Sequence, residues 1–198
     1  MLVHKKIAML TCWYGPYPWY FCYFINSCSY NPTIDFIIIT DNKEAIPNKP
    51  ENVIILNKTI NEIGTVASEK LGFAVNIDFS YKLCDFKPAY GFIFSEIVGQ
   101  YDFWGHGDID VIYGNIRNFV TDEMLQEFDL ISLRPDWVPG CFLLFKNTEK
   151  MNTLFMQSKD YQKVFESNQH LCFDETNFSH VYLPKDISIL KLPRRLKV

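Results

Sequence analysis

The sequence has no apolar run approaching the ~18 residues that a membrane-crossing helix requires. It has no Cys-x-x-Cys pair among its six cysteines, Cys12, Cys22, Cys28, Cys84, Cys141 and Cys172. That spacing argues against a zinc site or a disulfide framework, and buried free thiols in a reducing cytoplasm are the reading. It lacks an excess of positive charge: the formal net charge is −4 and the pI about 5.6. No nucleic-acid partner is expected, because the basic footprint is missing. Internal repeats, low-complexity segments and interdomain linkers are also missing. A single domain is therefore expected over the 198 residues. The opening, with Lys5 and Lys6 before a short apolar run, reads as a strand and not as a secretion signal. One local charge bias exists, at Lys191, Arg194, Arg195 and Lys197. It reads as a solvated tail, with peripheral attraction to an anionic membrane surface as the alternative.

What is present is an alternation of buried-type strands and helical segments. Residues 6–12 and 34–40 are continuous apolar, β-branched runs of the kind that fills a parallel sheet. A third strand is expected at 53–56. Thr59 and Glu62 form a capping box for a helix that Gly72 stops. Residues 81–91 open a further helix, with Asp85 as candidate cap and Pro88 in the first turn. Strands are expected at 130–133 and 141–145, one amphipathic helix over 148–166, and short closing strands at 181–183 and 187–190. The fold class that follows is α/β, with a mostly parallel central sheet flanked by helices.

The chain is organised around Tyr101-Asp-Phe-Trp-Gly-His-Gly-Asp-Ile-Asp-Val-Ile-Tyr-Gly114. A strand ending in Gly-Asp-x-Asp sets two carboxylates, Asp108 and Asp110, at its carboxyl end, where open α/β sheets bind ligands. Two such carboxylates invite a hard cation, Mn²⁺ or Mg²⁺, with a substrate phosphate completing the shell. A calcium loop starting at Asp108 is excluded, because its sixth and twelfth positions hold Tyr113 and Phe119. A phosphohydrolase pattern, with Asp108 as nucleophile and Asp110 as acid/base, fits the spacing but normally lies on a first strand. Trp137, between Pro135 and Pro139, reads as a loop anchor or, with Asp136, as an acceptor platform.

Five segments carry a family resemblance: Lys6-Ile-Ala-Met-Leu-Thr-Cys12, Phe36-Ile-Ile-Ile-Thr-Asp41, Tyr81-Lys-Leu-Cys-Asp-Phe-Lys-Pro-Ala-Tyr-Gly91, Gly107-Asp-Ile-Asp110 and Cys172-Phe-Asp-Glu175. Together they resemble bacterial GT-A-type (Rossmann-related) glycosyltransferases of polysaccharide biosynthesis. The resemblance implies a cytoplasmic, metal-dependent transferase. Such an enzyme moves a sugar from a nucleotide-diphosphate donor to a saccharide or lipid-linked acceptor. It implies Asp108 and Asp110 at the metal and donor, Thr11, Cys12, Trp13 and Tyr14 at the base and ribose, and Asp41 facing the same moiety. It implies Asp85 and Lys87 beside the sugar and diphosphate, although the family pattern is Asp-x-x-Arg and here it is Asp-Phe-Lys. Asp174 and Glu175 resemble the acidic pair opposite the donor sugar in retaining enzymes. The family's C-terminal metal histidine is not recognisable; His180 is too early and lacks the surrounding motif. A non-catalytic nucleotide-sugar or glycan binder therefore stands as the alternative.

Overall fold

The computed structural model describes residues 4–182. Six strands form one mixed sheet: β1 (Ile7–Cys12), β2 (Ile34–Thr40), β3 (Val53–Asn57), β4 (Phe103–Gly107), β5 (Leu130–Ser132) and β6 (Phe142–Lys146). Their spatial order is β3-β2-β1-β4-β6-β5. The first four run parallel, and β6 is antiparallel to both β4 and β5. The expected mostly parallel sheet is thus a mixed one. β6 reverses direction because it returns from β5 through the short loop 133–141, and a short connection joins antiparallel neighbours.

Alternate side chains of the strands point to opposite faces, and both faces are covered. Ala8, Leu10, Ile37, Ile39, Trp104 and Phe145 share one apolar layer with Ile63, Phe86, Tyr90 and Phe165. Ile7, Met9, Phe36, Ile38, Phe103 and Leu144 share the other with Phe24, Tyr113 and Val120. Burial on both faces accounts for the continuous apolar runs. Helix α1 (Phe21–Cys28) covers the second layer. Helix α2 (Ile60–Leu71) covers the first, and its Thr59–Glu62 capping box forms as the sequence predicts. Gly72 ends it in the left-handed conformation.

The expected helix from 81 is instead a 3-10 helix, Ser80–Ala89, followed by short α3 (Tyr90–Ile93) and α4 (Ser95–Val98). Asp85 is not a cap; it lies mid-segment and fully buried. After β4 come α5 (Asp122–Glu127) and the two strands of the β5–β6 hairpin. The single helix expected over 148–166 is broken into α6 (Glu149–Asn152), a 3-10 turn Leu154–Gln157 and α7 (Tyr161–Glu166). Thr153 donates its hydroxyl to the carbonyl of Glu149 where the first piece ends. Residues expected to open a strand at 181 belong to α8 (Ser179–Tyr182). The strand expected at 187–190 and the basic cluster lie outside the described residues. Among the described residues no helix is long and apolar enough to cross a membrane.

β1 has β2 on one side and β4 on the other, so chain order reverses about it. Such a switch point opens a crevice at the carboxyl ends of the strands. Thr11 at the end of β1 donates its hydroxyl to the carbonyl of Gly107 at the end of β4, at 2.9 Å. That bond closes the floor of the crevice.

Candidate functional site

The crevice is a cleft of about 330 Å³ at the ends of β1 and β4. That is within the size range of small-molecule sites. It gathers Thr11, Cys12, Trp13 and Tyr14 from the β1 end, Lys87 from the 3-10 helix, Asp108 and Asp110 after β4, and Asp174 and Glu175. These come from four separate stretches of chain. Tyr20, Tyr81, Cys84, Tyr90, His170 and Cys172 complete much of the wall, and sequence reasoning assigned none of them.

The Asp-x-Asp segment is a turn that follows β4, pinned by Ile109, which is buried in the second apolar layer, and all three residues line the cleft. Asp108 is partly buried and Asp110 exposed. Lys87 reaches Asp108 Oδ1 with its Nζ at 2.6 Å and donates to the Gly140 carbonyl at 3.0 Å. Its Nζ also lies 3.7 Å from Asp174 Oδ2. Burial works against the lysine's charge, but Asp108 and Asp174 outweigh it and hold its pKa above the ordinary value. Burial raises the Asp108 carboxyl, with Lys87 opposing. Burial likewise pushes Asp174 up to about 7, again against Lys87, with Glu175 adding to the rise. The cleft therefore holds one lysine shared by two carboxylates in a poorly solvated setting.

Gly140 joins these groups. Its carbonyl accepts from Lys87 and lies 3.1 Å from His106 Nδ1, and its N–H donates to Glu175 Oε1 at 3.0 Å. A Cβ added there would lie 2.5 Å from Asp174 Oδ2. Only glycine lets the backbone pass so close to both acidic side chains. His106, on β4, is buried, and burial holds its pKa well below the usual range. It is neutral, and with Nδ1–H on Gly140 its buried Nε2 has no partner among the described residues. Burial also pushes the thiols of Cys12 and Cys84 up to about 12, so neither is a thiolate at neutral pH. The Tyr14 hydroxyl is raised by burial too, and it has no hydrogen-bond partner among the described residues.

Other sequence-predicted residues lie elsewhere. Asp41 is exposed beside the cleft and accepts from the Gly15 N–H at 3.4 Å. Asp136 pairs with Arg134 at 2.8 Å, and that guanidinium lies 5.5 Å from the centroid of Trp137. Neither Asp136 nor Trp137 lines the cleft. Asp85 does not line it either. It pairs with Lys82 at 2.9 Å and accepts the backbone N–H of Leu171 and Phe173. Lys82 in turn donates to the carbonyls of Val164 and Gln169, each at 2.7 Å. Asp85 thus ties down the loop that carries Asp174 and Glu175. The distance in sequence hides this: the partner N–H groups lie 86 and 88 residues downstream.

Among the described residues no group of three or more His, Cys, Asp or Glu side chains converges to hold a metal ion. No curated protein matches the chain. A model of the family of unknown function DUF6625 matches residues 9–194, and the chain belongs to that family.

Proposed function

We propose that this chain is a GT-A-type glycosyltransferase. It would move a sugar from a nucleotide-diphosphate donor to a saccharide or lipid-linked acceptor in the cytoplasm, in bacterial surface-polysaccharide synthesis. The observation that carries the reading is the convergence of one cleft. The β1-end residues, Lys87, the Asp-x-Asp pair and the Asp174–Glu175 pair all line it. The resemblance assigned those groups to donor base, diphosphate, metal and sugar respectively.

The donor set suits Mn²⁺ or Mg²⁺. Asp108 keeps Oδ2 outside its bond to Lys87, and Asp110 is exposed. Ions of this kind bind through one or two carboxylates and take substrate phosphates and water as the remaining ligands. Asp108 and Asp110 would hold the metal, which supplies Lewis-acid neutralisation of the diphosphate. Lys87 adds a positive charge on the same side, as a point charge and not a bidentate fork. Asp174, buried and facing Lys87, would stabilise positive charge developing at the anomeric carbon, an interaction stronger in the transition state than in the ground state. A retaining outcome is the proposal, on the likeness of Asp174–Glu175 to the acidic pair of retaining enzymes.

The second reading, a non-catalytic nucleotide-sugar or glycan binder, rests on the sequence, in which the C-terminal metal-histidine motif of the resembled family is not recognisable. Calorimetric titration with a panel of nucleotide-diphosphate sugars, with and without Mn²⁺, tests both. Metal-dependent binding that Asp110→Ala abolishes supports the site. Sugar release from the bound donor then separates enzyme from binder. Absence of binding across the panel overturns the transferase and the nucleotide-sugar binder alike, and leaves only the glycan binder.

A further inference from the structure

A second concavity of about 430 Å³ lies between α1 and the loop 44–50. Tyr17, Trp19, Asn26, Glu44 and Asn48 are among its lining residues. Trp19, just before α1, is 82% exposed, and Tyr23, on α1, 55%. Their rings meet edge to face at 6.3 Å. Tyr30, just past the end of α1, is 63% exposed, so exposed aromatic rings stand before, on and after the helix.

No lysine or arginine lines the groove, and its apolar part comes from Phe21, Ile25, Ala45, Ile46 and three prolines. The side chains of Asn26, Glu44 and Asn48 make no hydrogen bond among the described residues, while the Tyr17 hydroxyl is buried without a partner. Flat aromatic rings with free amide and carboxylate groups, and no cation, match a neutral polyhydroxylated ligand. Sugar rings present C–H faces to aromatic planes and hydroxyls to amides and carboxylates. An anionic membrane surface would call for lysine and arginine. The groove also adjoins the cleft. Trp19 packs edge-on to Tyr20 at 5.6 Å, and Tyr20 lines the cleft wall. Trp137, the platform expected from the sequence, is less suited, because Arg134 already lies over its ring.

We infer that the groove between α1 and residues 44–50 is a saccharide subsite, with Trp19 as its stacking platform and Tyr23, edge to face with Trp19, at its margin. Resting on the transferase reading, it holds distal units of a saccharide acceptor whose end enters the cleft. The test follows the Trp19 indole N–H by NMR during titration with cello-, malto- and chito-oligosaccharides. Shifts confined to the groove are expected for at least one series. Trp19→Ala is expected to weaken that binding about tenfold, the loss of one good aromatic contact, with Tyr23→Ala acting in the same direction. Both residues are exposed, so the fold is retained. Nucleotide-sugar binding measured on the same samples should be unchanged by either variant. If no saccharide series perturbs the groove, the inference fails. It fails equally if the groove responds to phosphatidylcholine vesicles or to protein concentration instead, which would mark a lipid or self-association surface. Saccharide binding at the groove without any nucleotide-sugar binding in the cleft would overturn the transferase reading and leave the subsite standing.

Discussion

Two lysines five positions apart on the same 3-10 helix meet carboxylates in opposite ways. Lys82 and Asp85 are fully buried and saturated. The lysine makes three hydrogen bonds and the carboxylate accepts two backbone N–H groups from the loop 171–173. Lys87 is buried but its main partner, Asp108, is partly open to the cleft. Asp174 stands at 3.7 Å, beyond a hydrogen bond. The first pair fixes a loop. The second leaves carboxylate oxygens facing a cavity, with their pKa values raised by burial. Identical residue types thus separate into framework and site by how completely their hydrogen bonds are used, since unsatisfied buried charge is costly and persists where a ligand completes it.

The largest test of that contrast removes Asp85. Asp85→Ala leaves Lys82 buried without its counter-ion and is expected to cost about 3–5 kcal/mol. Urea unfolding measures the loss. The double variant Lys82→Met/Asp85→Leu should recover part of it, and a single variant as stable as wild type would break the comparison.

Asp174→Asn addresses the open side. It is expected to lower turnover at saturating donor by ~10²-fold with the donor KM little changed, as for loss of one preorganised charge. A collapse of donor affinity with turnover preserved would make Asp174 a binding group.

Lys87→Met should cost about 1.5–3 kcal/mol, the range for a hydrogen bond to a charged group, and the loss should depend on pH. Asp174 titrates near 7 in the folded chain, above the ~3.9 of a free aspartate. The native state therefore holds that proton more tightly than the unfolded chain. The associated stability is complete below the free value and disappears as pH rises through about 7. Without Lys87 the ionised carboxylate has lost its cation, so the variant should be worst above pH 7 and milder in mild acid. A flat pH profile would detach Lys87 from Asp174.

The smallest effect on the fold is expected from Gly140→Ala. A new Cβ 2.5 Å from Asp174 Oδ2 forces the acidic pair to shift, at about 1–3 kcal/mol of overpacking. Donor titration should show altered affinity, while the same substitution at Gly114, where a Cβ meets nothing within 4 Å, should not change it.

Much of the framework was legible because local signals and burial agree there. β1 and β2 are uninterrupted apolar runs covered on both faces, and the Thr59–Glu62 box is a four-residue device complete in itself. The segment 148–166 was misread because Met151, Leu154, Phe155, Val164 and Phe165 are all buried at near-helical spacing. Periodicity survives a break that the turn at 158–160 introduces. In the cleft, Asp108 and Asp110 stood out as carboxylates in an apolar context, and Lys87 and Asp174 through the family resemblance. Gly140 was not singled out, and Asp85 was read as a cap and a donor-site residue, since one acts through its missing side chain and the other through backbone groups far along the chain. Nothing local in the sequence reports either.

The reversed direction of β6 has a practical consequence. Because Gly107 stands opposite Phe142 in the antiparallel register, the exit of one strand and the entrance of the next share one rim. The loop 133–141 therefore ends at that rim, where Gly140 ties it to Lys87 and Glu175, while its other residues stay out of the cleft lining. A designer seeking to reshape the cleft from this side reaches it through Gly140, at the far end of the loop, and not through residues 133–137.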